Sequence, residues 1–411
     1  MPKPVTPIVS ATKPSPDPRV GLSPGLWDAG QAAWNMRLIS STPPSEKSLG
    51  TNSKGEPIHW GDPDSRIPTH SDLAFFGKYA IQGNYNGFEI FDISNPLKPV
   101  VVQVYNCPAS QNDVSIFKNL LIMSSEAPNS RSDCGFGGVA QVVSKDRVRG
   151  VRIFDISNLQ VPKLVKSVET CRGSHTHTVV TQPGDNDNFY IYISGTAGVR
   201  SADELPGCTD AGADDPNSAR FRLEVIKVPI AAPQNAAIVS SPRIFNALPP
   251  PPTNPERAAV DAAGRQGRGG QGAQQPGAPA AGAAPGAGGA AGAPAAGAAP
   301  GAAPTGRGRS NGPPTGPNQC HDITVYPEIG LAGGACAGLG LLLDIHDAAH
   351  PQRIDFVSDA NMSFWHSATS ATTERRSCSA TNGAEAARRA AARPTRWSGA
   401  PTRSSPSKTT R

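Results

Sequence analysis

"GFEIFDISNPLKP" fills residues 87–99, and "GVRIFDISNLQVP" fills 150–162. Each copy opens with Gly and runs on through alternating apolar residues, with β-branched and aromatic side chains prominent. That is the pattern of a half-buried strand. The "SNPLKP" that follows is turn chemistry, because Asn accepts left-handed angles and Pro lacks the donor a strand needs. "VVVQVY" at 100–105 and "KLVKSVE" at 163–169 then read as a second strand. The unit is strand, tight turn, strand.

A third copy, "GLLLDIHDAAHP" at 340–351, keeps the strand, the Asp and the closing Pro. Asp92 to Pro99, Asp155 to Pro162 and Asp344 to Pro351 are equal steps of seven residues. A degenerate copy, "FRLEVIKVPIAAPQNAAIVSS" at 221–241, places Lys227 in the Asp slot. Upstream of each lies another strand pair, in "DLAFFGKYAIQGN", "DVSIFKNLLIMSS", "TVVTQPGDNDNFYIYISGT" and "DITVYPEIGLAGGACAGLG". Four strands per repeat, each unit too small to bury its own face, predict an all-β fold: a β-propeller built of four-stranded blades.

These strands resemble the LVIVD repeat of bacterial, often exported, β-propeller proteins. The strings "SDLAFFGKYAIQGNYNGFEIFDISNP", "TCRGSHTHTV" and "CHDITVYPEIGLAGGAC" are similar to one subgroup of it. The resemblance covers most of residues 17–366 outside a Pro/Gly/Ala-rich insert. It implies the fold and export, and it implies no particular activity.

The organisation expected is an extended N-terminal segment over 1–60, blades 1–3 over 61–248, an insert over 249–317, blade 4 and the start of blade 5 over 318–366, and a basic tail over 367–411. The insert runs through "GAPAAGAAPGAGGAAGAPAAGAAPGAAP" without the three-residue Gly period of collagen. With almost no large apolar side chain it cannot offset its ordering entropy, so it is expected to be a disordered loop. The tail has no Val, Ile or Leu after Val357. Because it replaces a blade just begun at "MSFWHSAT", the propeller is expected to be incomplete. A reading frame shifted from Thr372 onward can spell a turn and an alternating strand there, and the tail is expected to be a frameshift product.

From residue 367 on there are eight Arg, one Lys and two Glu, or +7, against +5 for the whole chain. The preceding residues therefore carry about −2, and the basic character belongs to the tail. Nucleic-acid binding through the tail is one reading, since clustered Arg neutralises phosphates, but the rest of the chain argues against it.

Seven cysteines are an odd number, but Cys378 lies in the tail. Cys107, Cys134, Cys171, Cys208, Cys320 and Cys336 remain, with no C-x-x-C zinc pair among them. They fit three disulfides in an oxidising compartment, sequence neighbours being the natural pairing, with buried free thiols as the alternative. An extracellular or periplasmic location is expected, although "MPKPVTPIVSATKPSPDP" holds no signal-peptide core. The alternative is a cytoplasmic chain. No stretch reaches the length of a membrane span.

One constellation carries potential chemistry. The residue before each blade's first strand is Ser71, Asn112, His177, His321 or His366. First strands line a propeller's channel, so one repeated position becomes a ring around the axis. His177, His321 and His366 are therefore candidate ligands for a divalent or copper-type metal, with His175 two residues along on the same face of an extended strand. Asp322 and Asp113 are candidate acceptors behind them. Water binding or bridging between blades is the competing use of such a ring. The leading function is an exported scaffold that binds a ligand, a protein or a surface. The alternative is a metal-dependent enzyme at the channel. Asp92, Asp155 and Asp344 are expected to be turn residues, and "PGDNDN" at 183–188 a hairpin turn rather than a calcium loop.

Overall fold

The computed structural model describes residues 6–25, 29–52, 54–62, 65, 69–256, 259, 317–362, 364–371 and 376–381. Most of the insert and the end of the tail, with the shifted-frame reading attached to it, lie outside these residues. Four antiparallel four-stranded sheets follow one another along the chain, each a meander with its strands in sequence order. Blade 1 comprises β1 (His70–Phe76), β2 (Tyr79–Asn84), β3 (Gly87–Asp92) and β4 (Val100–Asn106). Blade 2 comprises β5 (Val114–Phe117), β6 (Leu120–Ser125), β7 (Gly150–Asp155) and β8 (Lys163–Glu169). Blade 3 comprises β9 (Thr178–Val180), β10 (Asn188–Ile193), β11 (Glu224–Pro229) and β12 (Ala237–Ser240). Blade 4 comprises β13 (Asp322–Tyr326), β14 (Leu331–Cys336), β15 (Leu339–Asp344) and β16 (Gln352–Ser358). The first strands β1, β5, β9 and β13 neighbour one another in that order, as the channel-lining strands of an incomplete propeller must.

The repeated motif acts as the sequence suggests. Asp92, Asp155 and Asp344 each end the third strand, and each Oδ1 accepts the backbone N–H two residues on, at 2.8–2.9 Å. This turn reverses the chain into the fourth strand. The N–H immediately after each Asp, from Ile93, Ile156 or Ile345, donates back to the residue preceding the second strand. Ile230 does the same in blade 3, so Pro229, paired with Asn188, fills the Asp slot there. Lys227, which pairs with Tyr190, sits two residues earlier on the same face. A slip of two preserves the inside–outside alternation and is invisible to hydrophobic pattern alone.

Each blade carries a bulge between its third and fourth strands, at Ile90/Phe91, Ile153/Phe154, Val225/Ile226 and Leu342/Leu343. Bulges strengthen local twist, which suits a blade. Gly87 and Gly150 open the third strands at φ 145° and 147°. A Cβ at either would lie 1.9 Å from Tyr105 O or 2.1 Å from Val168 O, so only Gly fits.

The apolar faces pack between blades. Phe88, Ile90, Leu121 and Phe154 join blades 1 and 2, and Ile153, Phe189, Ile191 and Ile226 join blades 2 and 3. Tyr192, Val225, Leu341 and Leu343 join blades 3 and 4. The N-terminal segment lies against blade 1, where Ser45 N donates to Glu89 Oε1 at 2.8 Å and Asn106 Nδ2 to Lys47 O at 2.9 Å. Beyond blade 4, β17 (Trp365–Ala371) lies beside β13 and β14 and pairs with β18 (Arg376–Thr381). This pairing crosses the boundary expected at residue 366, with Trp365 and Ala368 buried.

All six candidate cysteines form disulfides between sequence neighbours: Cys107–Cys134, Cys171–Cys208 and Cys320–Cys336. The second ties the end of blade 2 to the long connection within blade 3. Three disulfides mark an oxidising environment. No helix among the described residues is long and apolar enough to cross a membrane.

Candidate functional site at the channel mouth

In an antiparallel meander the first strand begins where the second one ends. The residues before β5, β9 and β13, those after β6 and β10, and the start of β17 therefore meet at one end of the channel. Here the structure brings together His175, His177, Asp113, Glu126, His321, Asp322 and His366.

The ring is not uniform. Ser71 Oγ donates to Asn112 O at 3.3 Å, and buried Asn112 donates through Nδ2 to Asn84 O at 2.7 Å. Both serve to join blades 1 and 2. His177 turns toward blade 2, with its side chain fully buried. Its Nδ1 lies 2.8 Å from Ser124 Oγ and 3.1 Å from Asp113 Oδ2, and Asp113 also accepts the His177 N–H at 3.1 Å. Its Nε2 is buried with no hydrogen-bond partner among the described residues.

His175, His321 and His366 form a separate group. His175 Nε2 lies 3.2 Å from His321 Nε2, and the His321 ring stacks at 3.9 Å, tilted by 32°, on that of His366. The far nitrogens are tied back: His175 Nδ1 lies 2.8 Å from Glu126 Oε2, and His321 Nδ1 2.9 Å from His366 O. Thr196 Oγ1 donates to the other oxygen of Glu126, and Thr176 Oγ1 to His321 O. The expected trio of His177, His321 and His366 is therefore regrouped, with His175 in place of His177. Residues two apart share a face only in extended chain, and the chain bends at 175–176 before β9. No three His, Cys, Asp or Glu side chains among the described residues converge on one metal-sized point.

Asp322 does not stand behind a histidine: its Oδ1 accepts the N–H of Ile323 at 2.8 Å, and burial raises its carboxyl above the usual range. Burial, with a hydrogen bond to Asp113, pushes Asp72 up to about 6. Burial opposes charge on Asp113, but its hydrogen bond with His177 and the attraction of that ring hold it below the ordinary value. Burial likewise opposes charge on His175, yet the Glu126 carboxylate outweighs it and raises the imidazole. His321 falls to about 4 through burial and then through repulsion from His366 and His175.

The geometry bears on catalysis. Ser124, His177 and Asp113 are the residue types of a nucleophilic triad, but serine and carboxylate contact the same ring nitrogen. A relay needs them on opposite nitrogens. "PGDNDN" is the turn expected of it, with Asp185 Oδ1 accepting from the N–H groups of Asp187 and Asn188. The mouth holds a cavity of about 10 Å³ lined in part by Thr178, Tyr192, Ser194 and His321, room for roughly one water or ion. A larger open groove of about 250 Å³ lies elsewhere, between Arg243, just past β12, and Arg353 on β16. Backbone carbonyls already occupy both of those guanidiniums.

Glu126, Ser124 and Thr196 escaped the sequence reading. They follow or end second strands, where the blades share no motif. Their one signal is position, since the end of a second strand neighbours the repeated slot.

A family model for the LVIVD repeat matches residues 70–107 and 146–170. Comparison with curated proteins gives no match. Similar solved structures include apo AztD from Citrobacter koseri, 10% identical with a TM-score of 0.21, covering 70% of this chain and 72% of that one. A second structure of Citrobacter koseri AztD is 11% identical with a TM-score of 0.21, covering 70% and 71%.

Proposed function

We propose that this LVIVD repeat-containing β-propeller is an extracellular or periplasmic binding protein that takes a small cation, free or as part of a ligand, at its channel mouth. It performs no covalent chemistry of its own there. The observation that carries this reading is charge placement. Asp72, Asp113, Glu126 and Asp322 gather at one end of the channel, and none of them is hydrogen-bonded to a Lys or Arg among the described residues. Asp113 and Glu126 face His177 and His175, but four carboxylates gathered at one mouth still repel one another, and a bound cation offsets that repulsion.

The test is thermal unfolding of the full chain against a panel of salts. A saturable rise in Tm is expected from at least one of magnesium, calcium, zinc, copper, nickel or tetramethylammonium chloride. A ligand at a hundred times its Kd adds about 2.7 kcal/mol. Sodium sulfate and phosphate at matched ionic strength should add no saturable increment. Stabilisation by the anions, or by nothing in the panel, would overturn the reading.

A further inference from the structure

The contact between His175 and His321 has a proton-counting consequence. A backbone carbonyl only accepts, so His321 must carry its proton on Nδ1, facing His366 O at 2.9 Å. The carboxylate of Glu126 likewise requires the proton of His175 on Nδ1, at 2.8 Å. Neutral imidazole has one N–H, so both Nε2 atoms then present bare lone pairs, and these face each other at 3.2 Å. Two lone pairs at that separation repel unless something positive lies between them. The candidates are an extra proton and a metal ion.

We infer that the Nε2 atoms of His175 and His321 form a two-imidazole site for a divalent transition-metal ion of the copper, nickel or zinc class. This rests on the cation-binding reading above and names the ion. Two imidazole nitrogens each ~2.0–2.1 Å from one metal lie about 2.9–3.4 Å apart for angles between square and tetrahedral. The observed separation falls inside that range. Both rings are held as metal-ligating histidines are, with the far N–H given to a carboxylate or a carbonyl. The donor set selects the ion: imidazole suits copper, nickel and zinc, whereas calcium and magnesium take oxygen. All six cysteines of the blades are in disulfides, so no thiolate competes. With two protein ligands the ion keeps open positions for water or for a donor on a ligand, so the site is an exchangeable one. Glu126 is a positioning residue that fixes the His175 ring through Nδ1.

The experiment uses the full chain, stripped with EDTA and titrated with copper(II), nickel(II) and zinc(II) chloride by calorimetry. One equivalent of metal is expected. The electron paramagnetic resonance of the copper form should show two equivalent imidazole nitrogens. His175→Ala and His321→Ala should each weaken binding at least tenfold and leave one nitrogen in the spectrum. Glu126→Gln should weaken it about 10–100-fold while keeping two nitrogens. His346→Ala, at an exposed turn in blade 4, should bind as wild type. If a histidine variant fails to fold, the wild-type spectrum decides. Unchanged affinity in both histidine variants, or a spectrum without the nitrogen pair, overturns the site and leaves a shared proton as the account of the contact. If calcium, magnesium or tetramethylammonium stabilises the chain and the three transition metals do not, this inference falls and the cation-binding reading stands. If no cation acts, both fall.

Discussion

Phe154→Ala is expected to lower the unfolding free energy by about 3–5 kcal/mol, the range for deleting a buried aromatic side chain. Phe154 is fully buried at the junction of blades 1 and 2. Its ring meets Phe88 edge-on at 5.5 Å and Tyr105 at 5.1 Å, while Phe88 and Tyr105 stack on each other at 5.1 Å. Phe88 and Tyr105 belong to β3 and β4 of blade 1, and Phe154 to β7 of blade 2. Truncation therefore removes transfer energy and leaves a cavity where two blades hold each other. Edge-to-face contacts worth about 0.5–1.5 kcal/mol per pair go with it. Urea unfolding measures the difference. Phe75→Ala is the control, since Phe75 on β1 is 63% exposed and its loss should stay within about 0.5 kcal/mol. Equal effects from the two would mean that the blade junction is misplaced.

Glu204→Ala should cost a similar amount, about 3–5 kcal/mol, for a different reason. Glu204 lies on the long connection between β10 and β11 with its side chain 2% exposed. Its Oε1 accepts from Arg200 Nε at 2.6 Å, and its Oε2 accepts from Arg147 and, at 3.0 Å, from Ser144 N. Arg200 is equally buried and also holds Glu169 at 2.6 Å. Removing one carboxylate leaves two guanidiniums out of water with a single acid between them. Breaking a buried pair by deleting one partner is far more costly than losing a surface pair. Asp210→Ala supplies that comparison: it opens the more exposed Arg220–Asp210 pair and should cost no more than about 1 kcal/mol. Chemical unfolding of both variants checks the ratio. Comparable small losses would show that the Glu204 cluster is solvated.

The blade architecture was legible because its determinants are local and repeated. An Asp that closes an Asx turn, a Pro that cannot continue the strand and a Gly at positive φ each act within a few residues of themselves. Pro229 shows the limit of such reading. With the Asp absent, only the hydrogen-bond ladder fixes the slot, and Lys227 lay one alternation away. The mouth was half legible. His321 and His366 follow from the repeat, whereas the two-residue spacing that tied His175 to His177 does not hold, since the chain bends there. The partition into a His175–His321–His366 group and a separate His177–Asp113–Ser124 group depends on a bend at 175–176 that has no sequence signature. Glu126 was missed because a lone Glu after a strand looks like any solvated turn residue. It is the ladder between β5 and β6 that carries it beside the channel.

Histidine titration by nuclear magnetic resonance on the metal-free chain tests the central claim most directly, because it reads the channel mouth without depending on any ligand. The account predicts that His321 stays neutral, with its proton on Nδ1, down to about pH 4, since burial and the neighbouring rings oppose its charge. His175 should hold its proton above the ordinary imidazole range because of Glu126. For His321 the sign is clear: the unfolded chain takes up its proton near pH 6.5 and the folded one near 4. Its contribution to stability is thus complete above about 6.5 and is lost as pH falls toward 4. His321 titrating near 6.5 like a free imidazole, or carrying its neutral-state proton on Nε2, would contradict the account, because blade ends that fail to bring His175, His321 and His366 together leave no channel mouth of the kind described.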